Sequence, residues 1–351
     1  MPDGTIRNVE GLISAGFANP ADRAALEGVA SRYAVAVPPA FAGLIEHAAD
    51  PIARQVLPDP AELQTALHEL ADPVGDAAFS PLPGLVHRYA DRVLIKPLLI
   101  CPLYCRFCFR RAHVGPDGGL LTQGQLDAAI AYVAARPAIS EVILTGGDPL
   151  MLSPRRLAAL LGALAAMPHI EILRIHTRVP VAAPERITEE LLRALDVQTP
   201  LYLAVHANHA REFTPDAAAA LRRLSRVAVL LGQSVLLRGV NDSVAALEDL
   251  FRAMLRHRIK PYYLHQLDPA PGTSRFHVPI ADGQKLLAGL RGRVTGLAWP
   301  TYVLDIAGGH GKVPIGPTYL EPGGPAGDQV RDQVRDPGGA RHLLADPAST
   351  V

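Results

Sequence analysis

The sequence predicts an α/β protein built on a parallel sheet whose crossovers are helices. From Arg88 onward, short apolar runs alternate with helical patterns, and the alternation repeats about six times. The chain has 351 residues, 49% of them hydrophobic and 19% charged, which suffices for one barrel-sized domain with its own core. Lys+Arg and Asp+Glu both number 34, so no basic excess points to nucleic acid or to an anionic membrane.

Residues 1–82 read as helices and turns, with Ala-rich segments at 19–33 and 60–70 punctuated by prolines. No chemistry is expected in this region, which should cover one end of the sheet or make a subunit contact. Strands are expected at 93–99, 141–144, 170–176, 201–205, 227–235 and 261–265, with a last one near 301–304. Functional groups of such sheets gather beyond the carboxyl ends of the strands. A cysteine loop follows the first strand, Gly146-Gly147-Asp148 the second, Arg178 the third, His206 and Asn208 the fourth, and Asp268 the sixth. Residues 321–351 turn to Gly, Pro, Asp and Arg and are expected to form a mobile tail. The N-terminus carries Asp3, Arg7 and Glu10 and lacks the apolar core of a signal peptide, and no later run approaches a membrane span. A cytoplasmic protein is expected.

The strongest chemical signal is Cys101-Pro-Leu-Tyr-Cys105-Arg-Phe-Cys108, which holds all three cysteines in the spacing CxxxCxxC. Three thiolates can hold three irons of a four-iron, four-sulfur cluster and leave the fourth iron open to a small chelator. A closed zinc site would need a fourth ligand, for which His113 is the candidate. An odd cysteine count without a signal peptide argues against disulfides. Leu144-Thr-Gly-Gly-Asp148-Pro149 sets two glycines at a strand end, where backbone can approach a ligand, although Gly-Gly-Asp is also an ordinary tight turn. Lysine is scarce, with Lys96, Lys260, Lys285 and Lys312 the only four. Lys312 follows Gly308-Gly-His-Gly311, a loop small enough in side chains for an amine to meet a planar cofactor.

These segments occur in order with His87-Arg88-Tyr89-Ala-Asp91-Arg92, Cys108-Phe-Arg110-Arg111, Ile175-His-Thr-Arg178-Val-Pro180, Gln233-Ser-Val-Leu-Leu-Arg238-Gly-Val-Asn-Asp242, Pro261-Tyr-Tyr-Leu-His-Gln-Leu-Asp268 and Asp305-Ile-Ala-Gly-Gly-His-Gly-Lys312. Over roughly residues 50–319 the chain thereby resembles the radical S-adenosylmethionine superfamily and, within it, the lysine 2,3-aminomutase family. The resemblance implies a partial (β/α)6 barrel over 83–320 behind a helical region at 1–82. It implies a 4Fe-4S cluster on Cys101, Cys105 and Cys108, and S-adenosylmethionine received by Gly146, Gly147 and Asp148 with Arg178, His206 and Gln233 nearby. Pyridoxal 5'-phosphate would form a Schiff base with Lys312, its phosphate and phenolic oxygen facing Arg88 and Arg92. Arg110 would clamp the carboxylate of an amino acid substrate, and Asp268 and Asp305 would receive the distal ammonium of lysine.

The implied reaction is an isomerisation, in which a deoxyadenosyl radical drives a 1,2-amino shift that turns L-lysine into beta-lysine. An electron donor such as flavodoxin or ferredoxin would be a partner, and a homo-oligomer is compatible with the resemblance. The clostridial form carries additional zinc-binding cysteines that are missing here, so no zinc and a different tail are expected. Other readings stay open on the sequence. One is an aminomutase for arginine or another amino acid, or the enzyme that prepares beta-lysine for elongation factor P. A non-catalytic iron-sulfur or zinc scaffold would leave Lys312 and the acids without purpose, and a radical methyltransferase acting on RNA would share only the cysteine loop.

Overall fold

The computed structural model describes residues 4–115, 119–321 and 333–343. One nine-stranded sheet runs in sequential order through β1 (Leu85–Tyr89), β2 (Arg92–Leu98), β3 (Glu141–Gly146), β4 (Ile172–Thr177), β5 (Leu201–His206), β6 (Val229–Val235), β7 (Lys260–His265), β8 (Thr301–Ile306) and β9 (Gly311–Pro314). Strands β2 to β8 are parallel, while β1 and β9 are antiparallel additions at the two edges. The edges do not pair with each other in a ladder. They meet through one side chain, since the Lys312 amide of β9 donates to the Tyr89 hydroxyl of β1 at 2.9 Å. The sheet is thus a nearly closed barrel, as the alternating pattern predicts.

The period of two along each strand divides the side chains. Val93 and Ile95, Val142 and Leu144, Leu173 and Ile175, and Leu203 and Val205 belong to the main apolar core outside the sheet. Their neighbours Arg92, Lys96, Arg174, His176, His206 and Gln233 occupy the other face, which lines the barrel interior. Crossover helices cover the outer face. In Val244–Arg256 the Ser243 hydroxyl accepts from the Ala246 amide, and Leu247, Leu250, Phe251 and Met254 recur on the buried face. Thr122, Ser153, Thr188 and Thr214 cap the helices 123–134, 154–165, 189–195 and 215–224 in the same way.

All seven expected strands are present with slightly displaced ends. Strands β1 and β9 were not expected, because neither Leu-Val-His-Arg-Tyr nor Gly-Lys-Val-Pro is an apolar run. Before β1 the helices are short, the longest being the eight residues Arg23–Ala30, and the expected helical stretch at 60–70 contains only the turn Pro60–Leu63. Prolines cut this region into pieces that lie as a strap across the carboxyl ends of the strands. The Ala36 and Gln55 carbonyls accept from the Tyr104 and Arg106 amides, and the Leu70 amide donates to the Pro269 carbonyl. Of the expected tail, 322–332 and 344–351 lie outside the described residues, while β11 (Gln333–Arg335) pairs with both β10 (Leu320–Glu321) and β12 (Arg341–Leu343). Among the described residues no helix is long and apolar enough to cross a membrane.

Candidate active site

The cysteine loop leaves β2 and is held from three sides. Cys101, Cys105 and Cys108 are free, and all three line one small cavity together with Tyr104, Arg106 and Arg111. His113, the candidate fourth zinc ligand, lines a different cavity. Burial, with the nearby Asp148 and the other thiols, raises the Cys101 thiol well above its ordinary value, and burial beside Cys105 pushes Cys108 up to about 11. Burial and mutual repulsion disfavour bare thiolates in this space, so a positively charged partner would be needed to hold them ionised. Among the described residues no three His, Cys, Asp or Glu side chains are grouped to hold a single ion. Three thiols spread round one cavity suit a cluster, in which each thiolate takes a different iron.

The turn after β3 is stitched to this loop. The Gly147 amide donates to the Leu98 carbonyl and the Asp148 amide to the Ile100 carbonyl, at 2.8 and 2.9 Å. A Cβ on Gly147 would come within 2.4 Å of the Ile100 carbonyl oxygen, and Gly146 has φ +103. The close approach that needs glycine is therefore to the chain's own backbone. Asp148, expected to receive the methionine ammonium, is engaged by the chain's own groups. Its carboxylate accepts from the Leu150, Arg178 and Val179 amides and from the Thr177 hydroxyl, so its oxygens hold the loops after β3 and β4 together. Arg178 donates to the Cys105 sulfur at 2.8 Å, to Gln55 at 2.6 Å and to Glu212 at 2.9 Å. His206, at the end of β5, stacks on Phe107 of the cysteine loop with ring centroids 5.6 Å apart. It pairs in register with Gln233 of β6.

Lys312 reaches the barrel interior from β9. The antiparallel register sets Asp305 of β8 directly opposite it, and the two side chains form a salt bridge. Gly308, Gly309 and Gly311 take φ of +82, +85 and +95, and the Gly311 Cα faces the Tyr89 hydroxyl so closely that a Cβ would lie 3.1 Å from it. These glycines make the tight return that aligns Lys312 with Asp305. His265 Nδ1 lies 3.3 Å from Lys312 Nζ and 3.6 Å from Asp305. Although burial opposes it, the His265 and Lys312 partners pull Asp305 down to about 2. Asp268 lies beyond β7, and its carboxylate accepts no hydrogen bond among the described residues. Burial, then the nearby Asp305 charge, raise it to about 7.

The barrel interior has polar atoms that the chain itself does not satisfy. The Nε2 atoms of His176, His206 and His265 and the Nε of Arg88 are buried without a hydrogen-bond partner among the described residues. Burial holds all three imidazoles below their ordinary range, leaving them neutral. A polar heteroaromatic or phosphorylated ligand fits such a lining, since unpaired buried donors and acceptors are costly. Arg88 donates to the Val74 carbonyl and lies 3.5 Å from Asp76, while Arg92 stacks 3.7 Å over Tyr89 and pairs with Asp91.

The region before residue 82, where no chemistry is expected, sends four buried side chains toward the site residues. Gln55 holds Arg178 and Asn208. Glu62 pairs with Arg106, Arg111 and Arg275. Glu69 accepts from the Gly272, Thr273 and Ser274 amides. Asp76 meets Arg88, Lys96 and Arg110. Arg110 binds Asp76 through Nε at 3.2 Å and Nη2 at 2.8 Å, and both line a cavity of about 410 Å³ with Lys96 and Phe109. Glu62 and Asp76 answer arginines of the cysteine loop and Glu69 answers backbone amides, so no local sequence signal marks any of the three.

Residues 95–251 match the Radical SAM superfamily. The chain is 40% identical over 289 residues to the L-lysine 2,3-aminomutase of Fusobacterium nucleatum, covering 82% of this chain and 68% of that protein. It is 39% identical to the L-lysine 2,3-aminomutase of Clostridium subterminale, covering 82% and 70%. The glutamate 2,3-aminomutase of Clostridioides difficile is 34% identical, covering 84% and 70%. With a cysteine loop, an interior lysine and a nearly closed barrel in the places described, the chain belongs to the lysine 2,3-aminomutase family of radical S-adenosylmethionine enzymes.

Proposed function

We propose that this isomerase moves the α-amine of L-lysine to the neighbouring carbon, giving beta-lysine. The observation that carries the choice of substrate is the pair Asp268 and Asp305, of which Asp305 already binds an alkylammonium, that of Lys312. A glutamate side chain would bring a third carboxylate to this wall, where Asp305 already raises Asp268 to about 7. A distal ammonium instead relieves that repulsion, and two carboxylates offset its desolvation.

When bound, the 4Fe-4S cluster and S-adenosylmethionine supply a 5'-deoxyadenosyl radical, and pyridoxal phosphate supplies the carbonyl that carries the migrating nitrogen. Cys101, Cys105 and Cys108 would hold three irons, with Arg178 fixing Cys105. Asp148, Gly146 and Gly147 set the height of the loop after β3 against the cysteine loop, and His206 and Gln233 face the interior beside it. Lys312 offers the amine that would hold pyridoxal phosphate, with Arg88 and Arg92 toward its phosphate and phenolic oxygen. When Lys312 is engaged elsewhere, Asp305 is released to take the substrate's ammonium in its place. Arg110 would present a guanidinium to the α-carboxylate. The strap over the strand ends excludes water from this volume. An electron enters from an external donor of the flavodoxin or ferredoxin class.

Anaerobic incubation with S-adenosylmethionine, pyridoxal phosphate and dithionite, followed by chromatography of the amino acid products, tests the reading. L-Lysine should give beta-lysine, while L-glutamate and L-arginine remain. Preferential conversion of either of the latter would overturn the assignment.

A further inference from the structure

Three cations converge on the single carboxylate of Asp76, and they do so unequally. Arg110 and Lys96 share Oδ2, at 2.8 and 3.3 Å, whereas Arg88 stands 3.5 Å from Oδ1. Arg88 is also tied to the Val74 carbonyl and lies over the Phe79 ring. Lys96 and Arg110 both line the cavity of about 410 Å³, whose lining does not include Arg88. The side chains of Lys96, Arg110 and Asp76 are only 18%, 14% and 12% exposed. Asp72 also lines the cavity, its carboxylate accepting from the Asp76 and Ala77 amides, so two carboxylates face three cations and one positive charge remains in excess. Such a cluster favours bound anions.

The backbone aims Lys96 at this point. The ladder between β2 and β3 is interrupted between Ile95 and Leu98, where Pro97 lacks an amide and the Lys96 amide turns to the Gly84 carbonyl. Gly146 lies close against the start of that side chain, where an added Cβ would sit 2.8 Å from the Cβ of Lys96. An irregularity beside a proline thus fixes a scarce lysine next to an arginine on the cavity wall.

We propose that Lys96 is a second cation for the substrate's α-carboxylate, seated beside Arg110, and that Asp76 is the positioning residue that keeps the two side by side. The inference rests on the reading of Arg110 given above. In the absence of substrate, Asp76 satisfies both cations. A bound α-carboxylate accepts from their remaining N–H groups, so the pair reads a charged carboxylate and discriminates against a neutral amide.

The test is calorimetric binding of L-lysine and of L-lysinamide to the cofactor-loaded enzyme without reductant, so that no turnover occurs. Lys96→Gln should weaken L-lysine about tenfold or more while leaving L-lysinamide nearly unchanged, and Lys96→Arg should restore most of the loss. Asp76→Asn should reduce the same discrimination without abolishing it. Equal weakening of both ligands, or of neither, by Lys96→Gln would overturn the proposal. So would loss of pyridoxal phosphate absorbance from that variant, which would put Lys96 on the cofactor instead. Arg110→Gln separates the two readings, because unchanged discrimination there defeats the role of Arg110 while the Lys96 comparison still decides its own case. L-Arginine and L-argininamide differ at the same α-carboxylate and serve equally if L-lysine is not the ligand.

Discussion

Asp268 and Asp305 face the same space yet hold their protons at opposite ends of the carboxylate range, near 7 and near 2. The difference is one of partners. Asp305 has Lys312 and His265 as direct partners, whereas for Asp268 burial and the like charge of Asp305 outweigh the more distant charges of Lys312 and Arg110. The folded-state value of Asp268 lies above the ordinary 3.8, so its contribution to stability is whole below about 3.8 and is lost as pH rises through about 7. Asp268→Asn should therefore raise the melting temperature of the ligand-free protein more at pH 8 than at pH 5. Lysine affinity of the parent should rise between pH 6 and pH 8 as the carboxylate ionises, and the Asn variant should lose that rise, as calorimetry across pH would show. Lys312→Ala should retain iron but no longer yield a borohydride-trapped pyridoxyl adduct. An adduct persisting on Lys260 or Lys285 would show that another lysine is the anchor. The cysteines and Lys312 were legible in the sequence because spacing and scarcity are local properties. Asp76, Glu62 and Gln55 were not, because each is defined by arginines brought from elsewhere in the chain, and Asp72-Pro-Val-Gly75-Asp76 reads locally as a turn.

Elements explain what spacing left open. Asp305 and Lys312 are seven positions apart in sequence, and only the β8–β9 hairpin turns that separation into a direct cross-strand pair. The strand signal was missed because β9 is four residues with no apolar run, and its partner supplies the pairing. The parallel strands were legible because each alternates or runs apolar and is followed by a capped helix. The hairpin turn depends on Gly309, whose φ is +85 and whose added Cβ would meet the Phe79 ring at 2.5 Å. Gly309→Ala should cost about 1–3 kcal/mol in denaturant unfolding. It should also lower trapped cofactor at Lys312, since the turn sets that lysine's register. Unchanged stability together with full trapping would count against the turn as the aligning device.

At the scale of the molecule, the strap is joined to the barrel by apolar packing, with Phe41, Ile52, Val56 and Leu57 in the main core, and by buried charge. Glu62 is fully buried and answers three arginines, two of them in the cysteine loop, which hold it ionised despite the burial that opposes ionisation. Glu62→Gln should leave buried arginines uncompensated, destabilising the protein by about 3–5 kcal/mol in denaturant unfolding and reducing iron uptake on anaerobic reconstitution. A loss below about 1 kcal/mol with normal iron content would mean that water or backbone can replace the carboxylate. Residues 1–82 were read as either a cover or a subunit contact, and their contacts run to the cysteine loop and the segment after β7. Their chemical part was hidden because composition cannot show which acids the fold will bury.

The meeting of β1 and β9 has a kinetic consequence. A cylinder sealed by a continuous ladder would need several main-chain hydrogen bonds broken at once to admit a nucleotide or a phosphorylated ring. Here one phenol acts as a clasp on the wall, with the Lys312 amide as its catch, and undoing it sacrifices about 1 kcal/mol. The aperture lies beside the residue that anchors pyridoxal phosphate, so loading and unloading of that group should be governed by the clasp. Tyr89→Phe is expected to keep the fold and the melting temperature within a few degrees while exchanging pyridoxal phosphate several times faster, followed by absorbance after dilution into competing apoprotein. An exchange rate equal to that of the parent would place the doorway elsewhere.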